Sequence, residues 1–316
     1  MEKSLAMGAA VTGERTHTAA NTRRGIWLVA AGAALWGIDP LFRILLLKYF
    51  TSSQIVLFEH LLLMIYALPV LWLHRSELKG LRASHLGALL FISWGGSALA
   101  TILFTSAFAH GDPNAVLLLQ KLQPLFAILM ARLLLKESLP AKFPLLLLMA
   151  LAGTYLLTFG LGSPVSSLSG MAAVGGLLSI GAAALWGGST VMGRLLLGKM
   201  QFETVTALRF ACALPLLFAL TSVGGSDLQP LVGAHDWLAV GGNLLLQAFL
   251  PGLLSLLLYY RGLSGTKASY ATLAELFFPA IGLIINWLVF HQPVTVAQLV
   301  GFVLIWVMLI QLSRQR

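Results

Sequence analysis

Ten runs of mostly apolar residues follow one another along the chain, separated by short polar breaks. They cover 26–47, 52–73, 85–109, 113–135, 140–161, 171–193, 202–222, 236–260, 268–290 and 293–312. A helix that spans a bilayer needs about 20 such residues, so the pattern predicts ten transmembrane helices. The first run does not read as a cleavable signal peptide, because a polar tail of 24 residues precedes it and nine more runs follow. That tail, Met1 to Arg24, reads as disordered, and neither end shows a lipidation motif.

Composition removes the soluble alternatives. Of 316 residues, 58% are hydrophobic and 10% charged, against about 45–50% and about 25% in a soluble domain. So few charges cannot coat a soluble enzyme, and so apolar a chain is not disordered. The single cysteine, Cys212, excludes an internal disulfide and any multi-cysteine metal site.

The net charge of +9 is a topology signal. Sixteen of the 20 Lys and Arg residues fall at breaks on one side of the predicted membrane: the N-terminal tail, the regions around Arg75, Lys136, Arg194 and Arg261, and the C-terminus. The opposite breaks hold only Lys48, and Arg43, Lys121 and Arg209 fall inside spans. By the positive-inside rule both termini are cytoplasmic. A miscounted helix would scramble this alternation, and nucleic-acid binding is a poor reading of the charge.

The chain repeats itself. Ala33-Ala34-Leu35-Trp36-Gly37 recurs as Ala183-Ala184-Leu185-Trp186-Gly187, at an offset of 150. In the fourth run of each half, Leu118, Pro124 and Leu133 match Leu273, Pro279 and Leu288 at an offset of 155. Five helices per half is an odd number, so the second half enters the membrane from the other side. The predicted fold is an all-α membrane protein of ten transmembrane helices, arranged as two inverted five-helix repeats. Inverted repeats are the architecture of many alternating-access transporters. The expected divisions are a cytoplasmic tail at 1–25, a first repeat at 26–161, an external linker at 162–170, a second repeat at 171–312 and a tail at 313–316.

These residues resemble the drug/metabolite transporter superfamily, in particular permeases built from two EamA-type domains. The resemblance is carried by Ala33–Gly37 and Ala183–Gly187, by Arg209, by Leu122-Gln123-Pro124 and its counterpart Phe277-Phe278-Pro279, and by Lys136-Glu137. It covers about residues 26–312. It implies ten helices, a central cavity between the repeats and movement of small organic solutes, often outward. Two departures stand out. Glu59 sits in repeat one where repeat two has Arg209, and His291-Gln292 replaces Lys136-Glu137.

An ionisable group deep in a span costs at least about 2.5–3.5 kcal/mol and normally faces the bundle interior or water. Counting about 1.5 Å per residue places Asp39, Arg43, Glu59, His60 and Lys121 in the outer half, and Arg209 and Glu275 in the inner half. Asp39 and Arg43 share a helical face, as an ion pair that lets the helix insert or as a gate. Glu59 is a partner for Lys121 or Arg43, as a strut or as a proton site. His60 is a hydrogen-bonded packing residue or a group that titrates near neutrality. Arg209 is the natural partner of Glu275, since both lie at similar depth.

Lys121 and Glu275 sit just before Pro124 and Pro279. A proline removes a backbone donor and loosens the helix, freeing carbonyls for solute or water. With Gln120 and Gln123 beside Lys121, a cavity lined by Lys121, Gln120 and Glu275 would hold an amine and a carboxylate together. Trp36 and Trp186 either pack beside Gly37 and Gly187 or form aromatic walls. Asn243 and Gln247 share a face of the eighth helix and line the pore or bond across helices. Pro40, Pro69, Pro215 and Pro251 are candidate kinks. Glu137 reads as a surface or gate ion pair.

Enzyme readings fail. Gly262-Leu263-Ser264-Gly265 matches a short motif of intramembrane proteases, but His291, the one downstream histidine, lies at the far end of the same predicted helix. No phosphate-cradling or dinucleotide glycine motif is present, and no histidine pair suggests a metal. The sequence therefore predicts a secondary transporter with no cofactor, metal or catalytic residue. Its partners are a small-molecule substrate and the lipid bilayer, with a homodimer left open. A polar or zwitterionic metabolite, amino acids first, is the expected solute and export the expected direction. Efflux of hydrophobic or cationic drugs is the alternative, and a non-transporting sensor or partner subunit a weaker one. A bacterial inner membrane is the expected location.

Overall fold

The structure, a computed structural model, describes residues 22–111, 113–162, 171–223, 234–288, 291 and 293–314. Every regular element among them is helical. Seven helices are long and apolar enough to cross a membrane. They are α1 (Thr22–Leu46), α2 (Ser52–Leu73), α3 (Ala83–His110), α7 (Met171–Leu196), α8 (Phe202–Val223), α9 (234–264) and α12 (Val296–Ser313). Five shorter α-helices and a turn of 3-10 helix at Arg75–Leu78 complete the described chain: α4 (Pro113–Gln120), α5 (Gln123–Leu134), α6 (Phe143–Phe159), α10 (Ala268–Glu275) and α11 (Phe278–Leu288). The tail before Thr22 and the linker at 163–170 lie outside the described residues.

The runs at 113–135 and 268–290 are therefore not continuous helices. Each is a pair of short helices, α4–α5 and α10–α11, broken at Lys121-Leu122 and Leu276-Phe277. The physical reason is in the sequence. Pro124 and Pro279 have no N–H to bond to the carbonyl four residues back. Those carbonyls belong to Gln120 and Glu275, where the first helix of each pair ends. Pro40 likewise follows a break in α1 at Gly37-Ile38 and opens its second segment. Pro69 and Pro215 ride inside unbroken helices.

Two stretches of wide-turn π-helix interrupt the long helices: Phe91–Leu99 within α3, which was not foreseen, and Ala248–Leu254 within α9, which contains the candidate kink Pro251. They occupy the third long helix of each half. Such wide turns cluster at functional sites.

Elsewhere local chemistry sets the ends. Thr51 caps α2 by accepting from Gln54 N, while the Gln54 side chain accepts from Thr51 N at 2.9 Å. Thr295 and Gln298 do the same for α12. This reciprocal pairing satisfies donors that a helix start leaves free. The Gly262–Gly265 segment ends α9, and the Ser264 hydroxyl donates to Arg261 O at 2.8 Å.

Packing pairs each half with its counterpart. α2 lies on α8, α6 on α12, and α5 on α10, while α3 lies on α7 and α1 on α9. At the α6–α12 crossing, a Cβ on Gly301 would lie 2.6 Å from Gly153 O, so only glycine admits this approach.

The polarity is inverted relative to a soluble protein. Large apolar side chains point outward, with Trp72 71% and Leu177 70% exposed. Asp39, Arg43, Glu59, Lys121, Arg209 and Glu275 are all buried. Only a lipid surround makes an apolar exterior and a charged interior stable together. The chain is an integral, multi-pass membrane protein.

Candidate functional site

The helix breaks, the wide turns and the buried charges converge on one cavity. Its walls come from both halves: Trp36 and Asp39 of α1, Glu59 and His60 of α2, Ser97 and Phe104 of α3, Trp186 and Thr190 of α7, Arg209 of α8 and Tyr259 of α9. Its remaining wall is the two broken helices, which bring Gln120, Lys121, Gln123, Glu275 and Phe278.

One cluster is built on Arg43. Its Nε donates to Asp39 Oδ2 at 2.5 Å and its Nη1 to Thr105 Oγ1 at 3.1 Å. Its Nη2 lies 3.2 Å from Glu59 Oε1 and donates to Oε2 at 3.4 Å. Gln247 Nε2 donates to Asp39 Oδ1 from α9. The Asp39–Arg43 pair expected from the four-residue spacing is present, and Glu59 joins Arg43 rather than Lys121.

A second cluster is a string of side chains across the broken helices. Lys121 Nζ donates to Gln120 Oε1 at 2.8 Å, and Gln120 Nε2 to Gln123 Oε1 at 2.8 Å. Gln123 Nε2 in turn donates to Glu275 Oε2. The other oxygen of Glu275 accepts from Tyr259 OH at 2.6 Å and from Thr190 at 3.4 Å. Lys121 also lies over the ring of Phe278. The lysine and the glutamate are thus joined through two neutral amides. Among the described residues, the ion pairs within 4.0 Å are those of Arg43 with Asp39 and with Glu59.

Arg209 does not pair with Glu275. It donates to Ser97 Oγ at 2.7 Å and to Tyr260 OH at 2.8 Å. Buried hydroxyls satisfy the guanidinium without quenching its charge. His60 packs edge-on against Phe210 with Nδ1 2.8 Å from Val56 O, and its Nε2 has no partner.

The two tryptophans line the cavity and the glycines beside them do the close packing. Trp36 lies 5.2 Å from Tyr259, and Trp186 lies 5.0 Å edge-on from Phe104 while donating to Gly96 O. A Cβ on Gly37 would lie 2.9 Å from Phe278 O, and one on Gly187 would lie 2.9 Å from Gln123 O. Asn243 lies apart from the cavity and donates to Phe42 O at 3.3 Å, a bond between α9 and α1.

Ten of the residues singled out from sequence meet at the cavity: Gln120, Lys121, Glu275, Trp36, Trp186, Asp39, Arg43, Glu59, His60 and Arg209. Sequence reasoning missed Tyr259, Tyr260, Thr190 and Ser97, and named Phe278 only as part of a motif. The adjacent Tyr259-Tyr260 pair, two polar hydroxyls at the end of an apolar run, was the signal available.

The EamA-like transporter family profile matches this chain twice, over residues 23–159 and 173–313. The chain belongs to the EamA-like transporter family. Each match is one repeat, and the cavity lies between the two EamA-like halves. The chain is 32% identical to the riboflavin transporter ImpX of Fusobacterium nucleatum, over 93% of this chain and 99% of that one. It is 23% identical to the uncharacterized transporter YoaV of Bacillus subtilis, over 79% of this chain and 84% of that one. A solved crystal structure 18% identical in sequence shares the EamA-like chain's fold with a TM-score of 0.71, covering 90% of this chain and 94% of that one.

Proposed function

We propose that this transporter moves a neutral, flat heteroaromatic solute with a polar tail, of the flavin class, by alternating access. The observation that carries the reading is the charge balance of the cavity wall. Asp39, Glu59 and Glu275 are matched by Arg43, Lys121 and Arg209, so the wall has no net formal charge with His60 neutral. An organic cation or anion would find no compensating excess there, whereas a neutral polar solute needs none.

The rest of the wall suits such a solute. Trp36 with Tyr259 and Trp186 with Phe104 offer ring faces from opposite repeats, and aromatic faces hold flat rings in offset or edge-on contact. Gln120, Gln123, Lys121 and Thr190 offer donors and acceptors for imide and hydroxyl groups. The similarity to a riboflavin transporter over nearly the full length of both chains supports the same class.

A zwitterion such as an amino acid is the second reading. Lys121 and Glu275 favour it, because they face one cavity without bonding each other directly. Efflux of hydrophobic drugs is less favoured by a wall this rich in hydrogen-bonding groups.

The reading includes ten transmembrane helices in two inverted five-helix repeats. Each broken pair, α4–α5 and α10–α11, then counts as one span, with the divisions at 26–161 and 171–312. Both termini are cytoplasmic, in a bacterial inner membrane. The paired contacts of α2 with α8, α6 with α12 and α5 with α10 support a two-fold relation between halves. Rocking of one half against the other opens the cavity to alternate sides.

Counterflow in proteoliposomes tests the solute, because exchange at equilibrium needs no gradient and no assumed direction. Riboflavin exchange that excess unlabelled riboflavin saturates, with amino acids and cationic dyes inert, is the expected result. Exchange of amino acids alone overturns the flavin reading in favour of the second one.

A further inference from the structure

The Arg43 cluster has more acid than base. Two carboxylates, Asp39 and Glu59, face one guanidinium, and the other partners, Gln247 and Thr105, are neutral. Glu59 is 5% and Gln247 0% exposed. The remaining cavity bases bond elsewhere, Lys121 to Gln120 and Arg209 to Ser97 and Tyr260. His60 follows Glu59 in α2, with Nδ1 on Val56 O. One negative charge is therefore uncompensated within the cluster, and a buried charge in that state is costly.

The hydrogen-bond pattern says where relief fits. Asp39 is served on both oxygens, by Arg43 and by Gln247. Oε1 of Glu59 is buried and accepts no hydrogen bond; its cationic neighbour, Arg43 Nη2 at 3.2 Å, is shared with Oε2. A proton bound on Glu59 removes the unmatched charge of the cluster.

We propose that Glu59 binds one proton per transport cycle, so that solute movement is coupled to proton movement through Glu59. This rests on the alternating-access reading above but not on the flavin class. The proton comes from water when the cavity opens to one side and leaves to water on the other; no bond of the solute is made or broken. The cluster joins α1, α2, α3 and α9. Loss of the proton strengthens the pull of Glu59 on Arg43, and gain of it weakens that pull. The proton thereby biases how these four helices hold together.

Two measurements on the full chain test it. The first needs no solute: infrared spectra of the protein in lipid, recorded against pH. A carboxylic-acid carbonyl band that appears on acidification in wild type and in Glu275→Gln, and is absent in Glu59→Gln, is expected. A band unchanged by Glu59→Gln overturns the proposal. Should Glu59→Gln fail to fold, Glu59→Asp carries the assignment: a displaced band supports it and an undisplaced band overturns it. The second is solute uptake driven by an imposed gradient of one pH unit. One proton per solute supports about tenfold accumulation, and Glu59→Gln is expected to lower the ratio to about one. Undiminished accumulation in that variant, or a dependence on sodium in place of protons, overturns the proposal. If riboflavin is not carried at all, the infrared result still decides the proton site and only the solute class falls.

Discussion

The carboxylate of Glu137, just past the end of α5, holds Ser269 at the start of α10. It accepts from Ser269 N at 3.1 Å and Ser269 Oγ at 2.6 Å, and from the neighbouring Ala268 N at 2.9 Å. These are the free donors of a helix start, where a negative charge is also favoured by the helix dipole. Lys267 adds a bond to Ser138 O at 3.0 Å. The residue sequence analysis took for a surface or gate ion pair thus locks one repeat's broken helix to the other's without a basic partner. The corresponding position of repeat two is Gln292, a neutral amide.

Breaking this latch is expected to open the cavity on its side. Glu137 is only half buried, so its charge-assisted bonds are discounted for solvent to about 1 kcal/mol, or about fivefold in a two-state balance. With Cys212→Ser as background and Thr272→Cys as reporter in the cavity wall, Glu137→Gln should raise labelling by an impermeant maleimide, added on the face of the membrane where Glu137 lies, about fivefold. An unchanged labelling rate would reduce Glu137 to a helix cap.

The aromatic wall makes the next prediction. Removing Trp36 or Trp186 takes away a ring face from a bound heterocycle, worth about 0.5–1.5 kcal/mol each. Trp36→Phe is expected to retain most of the affinity and Trp36→Ala to lose about two- to tenfold, read from quenching of riboflavin fluorescence. Asn243→Ala should leave binding unchanged, since Asn243 bonds Phe42 O away from the cavity.

Much of this was readable in the sequence, because membranes constrain what a chain can hide. The seven ionisable groups placed deep in the spans had to turn inward, and all seven line one cavity. Pro124 and Pro279 marked the weak points of their runs, and the breaks fall just before them. The partners were less legible. Glu275 and Arg209 share a depth, but depth does not give the rotation of a helix about its axis. That rotation turns Glu275 to Tyr259 and Gln123, and Arg209 to Ser97 and Tyr260. The wide turn at Phe91–Leu99 contains no proline, so nothing local announced it.

Gly37 and Gly187 test the relation between the repeats. Each meets a backbone carbonyl on the second half of a broken helix, Phe278 O for the one and Gln123 O for the other, with 2.9 Å left for an added Cβ. Backbone cannot yield as a side chain can. Overpacking of this kind costs about 1–3 kcal/mol, and it should do so in both halves. Gly37→Ala and Gly187→Ala are expected to lower the unfolding temperature in detergent by similar amounts and to slow counterflow. A large effect from one and none from the other would mean that the two crossings are not equivalent.

Arg43 offers a test of charge counting that does not depend on transport. Arg43→Met removes the one cation from a cluster that holds Asp39 and Glu59. Two buried carboxylates are then left facing each other, and breaking a buried pair from one side costs about 3–5 kcal/mol. Neutralising the acids as well removes the repulsion and the unpaired charge. The triple variant Arg43→Met, Asp39→Asn, Glu59→Gln is therefore expected to melt within a few degrees of wild type, while Arg43→Met alone melts far lower or fails to accumulate. The single variant should also recover at acidic pH, where protons take over from the guanidinium. Thermal unfolding of the purified proteins against pH reads all three expectations. Equal stability of Arg43→Met and wild type at neutral pH would mean that water, not Arg43, carries the charge of this cluster.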